Sequence, residues 1–152
     1  MKVSRRAVMA GGFAGALAVP TLAGQPGWRW RNGDASVLLF DPSLEAGRRF
    51  GAAGRAAGGK VLALAGDPIR LAQGLLAERP AVIAGVSRHA DALLLEEAGA
   101  EAGYARVALL EGDCATCSAA TCRSGWGALG ALARNSGASW PEVLATYAAR
   151  PG

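Results

Sequence analysis

The sequence predicts an α/β domain: a small parallel sheet of four strands in the order β-α-β-α-β-α-β, followed by two more helices. Three observations carry this. Four short runs are apolar without a two-residue alternation: Val37-Leu-Leu-Phe40, Val61-Leu-Ala-Leu-Ala65, Ala81-Val-Ile-Ala-Gly-Val86 and Ala105-Arg-Val-Ala-Leu-Leu110. Each run ends at turn or capping residues, namely Asp41-Pro42, Gly66-Asp67-Pro68, Ser87 and Glu111-Gly112-Asp113. The stretches between them have the length and periodicity of helices. Apolar strands alternating with helices are buried on both faces, which is the pattern of a parallel sheet.

Residues 1–23 stand apart. Lys2, Arg5 and Arg6 are followed by a mildly apolar, Gly- and Ala-rich run from Ala7 to Val19, and Thr21-Leu22-Ala23 offers small residues for cleavage after Ala23. A basic start, an apolar middle and a small-residue end make a secretory signal. Ser4-Arg5-Arg6-Ala7-Val8 resembles the twin-arginine (Tat) export signal, with Val8 where Phe is commonest and Ala10 where Lys is common. The resemblance implies export to the periplasm by the twin-arginine translocase, a transient partner, and passage in the folded state. Gly11, Gly12, Gly15 and Pro20 interrupt the run, so no stable membrane span is expected after cleavage.

Residues 24–35 read as a linker or arm, and residues 36–152 as a single domain large enough for one modest core. Within it, Asp41 before Pro42 and Asp67 before Pro68 read as helix N-caps followed by proline at the first helical position. Ser87 reads as the cap of the third helix. The first helix is weakened by Gly47, Gly51 and Gly54, each unfavourable in a helix interior. The second carries Ile69, Ala72, Leu75 and Leu76 on one stripe, and the third Ala90, Leu93, Leu94 and Ala98. Gly58-Gly59 and Gly103 stand where helix C-caps belong. Gly127 to Arg134 is expected to be helical, and Ser139-Trp-Pro-Glu142 reads as a capping box opening a last helix. A strand order of 2-1-3-4 is expected by analogy with flavodoxin-like and Rossmann-like sheets.

The whole chain has 16 Lys and Arg against 12 Asp and Glu. Three of those 16 lie in the leader, which leaves 13 against 12. That balance gives no basic footprint for nucleic acid.

In an open parallel sheet, ligands bind at the carboxyl ends of the strands. Those ends deliver Asp41, Asp67, Ser87, Arg88, His89, Asp113 and Cys114. Cys114-Ala-Thr-Cys117-Ser-Ala-Ala-Thr-Cys122 holds all three cysteines within nine residues. With His89, the only histidine, they make a Cys₃His set suited to zinc, or less well to iron, which in clusters prefers four thiolates. The rival readings are a structural disulfide with a spare thiol, and a thiol-disulfide oxidoreductase.

Gly54-Arg-Ala-Ala-Gly-Gly59-Lys60 leads into a strand and lacks the Ser/Thr of a P-loop. No G-x-G-x-x-G follows the first strand and no Gly-x-Ser-x-Gly elbow occurs. Trp28-Arg29-Trp30-Arg31 would suit a partner-docking arm or a flank cover. The reading that results is a small periplasmic binding or accessory protein. Its site, for a metal ion or small anion, lies at the carboxyl edge of the sheet. An oxidoreductase and a docking module are the alternatives.

Overall fold

The computed structural model describes residues 7–8, 36–106, 108–110, 120–122, 131–132 and 134–149. The twin-arginine residues Ser4, Arg5 and Arg6, the Trp28–Arg31 arm, Asp113, Cys114 and Cys117 lie outside these. The fold is mixed α/β. At its centre is a parallel sheet of three strands, β2 (Ser36–Phe40), β3 (Lys60–Ala63) and β4 (Val82–Val86), in the order β3-β2-β4. The helices are α1 (Glu45–Ala56), α2 (Pro68–Ala77), α3 (His89–Glu101) and α4 (Trp140–Ala149), the last preceded by a 3₁₀ turn at Gly137–Ser139. Among the described residues no helix is long and apolar enough to cross a membrane.

Both faces of the sheet are covered, as its uniformly apolar strands require. On β2 successive side chains point to opposite layers. Leu38 and Phe40 pack with Phe50 of α1 and with Trp140, Leu144, Ala145 and Ala148 of α4. Val37 and Leu39 pack with Ala72 and Leu75 of α2, Leu95 of α3 and Tyr104. The Ser36 hydroxyl donates to the Ala148 carbonyl at 2.7 Å, tying the start of the central strand to the last helix.

The expected sheet of four mutually paired strands is not what forms. Within the run Ala105–Leu110 the described strands are β5 (Ala105–Arg106) and β6 (Ala108–Leu110). β5 does not pair with β4. Its partner is β1, the dipeptide Ala7–Val8, which lies parallel between β4 and β5. β6 instead pairs antiparallel with β7 (Ala120–Cys122), with Ala108 opposite Cys122.

Helix α1 forms despite its glycines because they are its packing surface. Gly47, Gly51 and Gly54 are buried on one stripe facing β2. A Cβ on Gly51 would sit 2.8 Å from the Phe40 ring, one on Gly54 2.8 Å from Leu38 Cδ1, and one on Gly47 would overlap the Asp41 carbonyl oxygen. The helix closes in a Schellman motif, with Gly58 at φ 82° and the Gly58 and Gly59 amides donating to Arg55 and Gly54 at 2.9 Å.

Three helix expectations are corrected. Helix α1 starts at Glu45 with Leu44 as its cap residue, so Asp41 is not its N-cap. Helix α3 is capped by Arg88 without a side-chain bond, so Ser87 does not cap it. Its buried stripe is Ala92, Leu95 and Gly99, whereas Leu93 and Leu94 are exposed, as is Ile69 on α2. The sheet-facing positions on α3 are mostly those with small side chains, which let the helix lie close to the strands. Asp67 caps α2 as expected, accepting from the Ile69 amide at 2.9 Å and the Arg70 amide at 3.4 Å.

The expected capping box of Ser139 and Glu142 does not form among the described residues: the Ser139 amide donates to the Ser136 carbonyl at 3.1 Å. Arg49 of α1 grips Glu142 through two bonds, Nε to Oε1 at 2.6 Å and Nη2 to Oε2 at 2.8 Å, and Arg49 also donates to the Ala138 carbonyl at 2.6 Å. Partial burial acts to raise the Glu142 carboxyl, but the Arg49 bonds, the residue's own amide and the Arg49 charge together hold it below its ordinary value of 4.5.

This packing sets opposite signs for two glycine substitutions. Gly47→Ala is expected to cost about 3 kcal/mol, since a backbone carbonyl cannot yield to the new methyl. Gly74→Ala, on a part of α2 with nothing within 4 Å, is expected to stabilise by about 0.5–1 kcal/mol. Urea unfolding of the two variants measures both signs. A lowered folded-state pKa stabilises above the unfolded pKa and is lost as pH falls through the folded one. Glu142→Gln is therefore expected to cost about 0.5–1 kcal/mol at neutral pH, given the pair's exposure. The difference from wild type should shrink as pH falls below 4.5 and vanish only below the lower folded-state value, as thermal melts at a series of pH values would show.

Candidate functional site

Strands β2 and β4 are neighbours, and their chains leave in opposite directions. β2 feeds α1 on one layer, and β4 feeds α3 on the other. The carboxyl ends of two such strands diverge and leave a crevice. One residue beyond the register pair Phe40–Val86, Asp41 and Ser87 stand side by side, and the Asp41 amide extends the ladder by donating to the Val86 carbonyl at 2.8 Å.

Both side chains are buried: Asp41 is 6% and Ser87 2% exposed. The Asp41 carboxylate is fully engaged. Its Oδ1 accepts from the Ser43 amide at 2.8 Å and the Ser43 hydroxyl at 2.6 Å, which is an Asx turn over Pro42. Its Oδ2 lies 3.4 Å from Arg88 Nε. Arg88 Nη2 donates in turn to the Ser43 hydroxyl at 2.8 Å. Together these groups form a closed network that fixes an otherwise exposed guanidinium over the crevice.

The Ser87 hydroxyl differs. Among the described residues it makes no hydrogen bond. A buried hydroxyl without a partner costs free energy that a bound group would recover. It lies at the head of α3, a helix of 13 residues whose first amide groups have no carbonyl partner within the helix. The crevice therefore offers a hydroxyl, backbone amides and a positioned guanidinium, all of them donors.

The candidates are thus only partly brought together. Asp41, Ser87 and Arg88 converge, and His89 follows as the exposed first residue of α3. Asp67 does not join them: its carboxylate serves its own helix and lies 3.9 Å from Arg70 Nε. Cys122 is placed in β7, opposite Ala108. Among the described residues no group of three or more His, Cys, Asp and Glu is arranged to hold a metal ion. Ser43 is the site residue that the sequence reading missed. Asp-Pro-Ser at a strand end is the signal that marks an Asx turn.

Comparison with protein-family models, curated proteins and solved structures gives no match to this chain.

Asp41→Ala would strip Ser43 of its acceptor and leave Arg88 without its carboxylate. The expected cost is about 2–3 kcal/mol, with Asp41→Asn in between because it keeps the Ser43 bonds. Chemical denaturation of the pair gives the order, and equal stabilities would deny the network this role.

Proposed function

We propose that the chain is a small exported binding protein acting in the periplasm. Its ligand is a small oxyanion held in the crevice between β2 and β4. The export half rests on Ser4-Arg5-Arg6 and the mildly apolar run after it. The binding half is carried by one observation: among the described residues, the buried Ser87 hydroxyl at the head of α3 has no partner, and it lies beside a guanidinium already held in place. A helix N-terminus attracts negative charge, and a serine hydroxyl with an arginine completes an oxyanion cradle. Asp41 does not oppose this, because its charge is matched by Arg88 and its lone pairs are taken by Ser43. We read the β3-β2-β4 order as the beginning of a doubly wound sheet of the flavodoxin type, in which such a crevice is the usual ligand position.

The cysteine and Trp-Arg readings draw on residues outside those described, so they add no support.

Titration of the purified chain with inorganic phosphate, followed by amide chemical shifts, tests the binding half. Saturable shifts at Ser43, Ser87, Arg88 and His89 are expected, weakened about tenfold or more in Arg88→Ala as a charge-assisted bond is removed. Shifts scattered over the surface, or none, would reject the oxyanion site.

A further inference from the structure

We propose that the gap between β4 and β5 is a strand-accepting slot in which the folded chain docks the start of its own N-terminal apolar run. The observation is β1. Ala7 pairs with Val82 on one side and Ala105 on the other, and Val8 pairs with Ile83 and Arg106. Two residues thus serve two ladders, and among the described residues β1 is the only strand joining β5 to the sheet.

The walls of the slot are held by bonds in which β1 takes no part. Tyr104, just before β5, is buried, and its hydroxyl donates to the carbonyl of Pro80, just before β4, at 2.6 Å. Arg106 of β5 donates to Glu96 of α3 at 3.0 Å. β5 is therefore pinned to α3 and to the approach of β4, one strand away from β4 itself. α3 packs over both β1 and β5, which roofs the gap. Val82 and Ile83, which form its inner wall, are buried. Backbone groups in a buried, unfilled slot would lack ladder partners, so an extended segment there satisfies both walls at once.

The occupant suits the position. Ala7 and Val8 are small and uncharged, fit for a strand covered by a helix. β1 begins at the sheet edge opposite the Asp41–Ser87 crevice, and Arg5 and Arg6 directly precede it in the chain. One consequence rests on the export reading above: Ala7 and Val8 belong to the signal, so while they are docked that part of it is withheld from the translocase, and release from the slot makes it accessible.

The experiment uses the full-length chain. Backbone nuclear Overhauser effects from Val8 to Ile83 and Arg106 are expected. Val8→Pro, which removes a donor from the ladder, should speed exchange of the β4 and β5 amides facing β1 about tenfold, with Leu38 and Leu39 of β2 unchanged. Absence of those Overhauser effects together with unaltered exchange overturns the slot. If Val8→Pro unfolds the whole domain, the Overhauser effects in the wild-type chain decide. Arg106→Pro opens the slot without touching the signal, and faster appearance in the periplasm is expected. Export at the wild-type rate from a variant in which Val8 has left the slot overturns this consequence. Arg5→Lys with Arg6→Lys tests the twin-arginine route separately, since continued export would reject that route whatever the exchange data show.

Discussion

The structure depends on how closely α1 lies against β2. A helix normally stands off a sheet by the depth of its side chains. Here three positions on the packing stripe have none, and the helix settles until its backbone meets the Asp41 carbonyl, the Phe40 ring and Leu38. Glycine weakens an isolated helix by about 1 kcal/mol per residue. Dispersion attraction between the closely apposed helix and strand offsets that penalty, and the Arg49–Glu142 clamp and the Schellman closure hold the ends of the arrangement. The same approach settles the loop after β2. With Gly47 beneath it, Asp41 is fixed in place, Ser43 turns back onto its carboxylate, and Arg88 is drawn across from the next strand. Fold and crevice are therefore one packing problem.

Much of the architecture is legible in the chain. Continuous apolar runs located β2, β3 and β4 to within two residues. Asp67 before Pro68 marked the start of α2, and Gly58 and Gly103 marked helix ends. What escaped has identifiable physical causes. The stripe on α3 was misplaced because Leu93 and Leu94 outweigh Ala92 and Gly99 in hydrophobicity, whereas a helix close to a sheet selects for small volume. Asp41-Pro42 looked like a cap because sequence alone does not show that a further turn, Pro42 to Leu44, intervenes before the helix.

The candidate site was half legible. Topology required the strand ends to converge, and Asp41, Ser87 and Arg88 do. It could not say that Asp67 would turn away, since any carboxylate before proline has a local use that competes with a shared one. Nor could it reveal β1, because pairing with strands so distant along the chain leaves no local periodicity in a two-residue segment.

The position of α4 bears on how the protein is made. The layer of the sheet that holds Leu38, Phe40, Val82 and Val86 is closed by Trp140, Leu144, Ala145 and Ala148, from the final helix described. Those residues follow all three central strands in the chain, so they leave the ribosome after them. Until then the growing chain holds three apolar strands with one side partly bare, whatever α1 contributes. The Ser36–Ala148 bond spans 112 positions and cannot form earlier. Such distant pairings slow folding and prolong exposure of apolar surface. The domain therefore completes its fold only once α4 has emerged, and a chain truncated before Trp140 would be a substrate for chaperones and proteases.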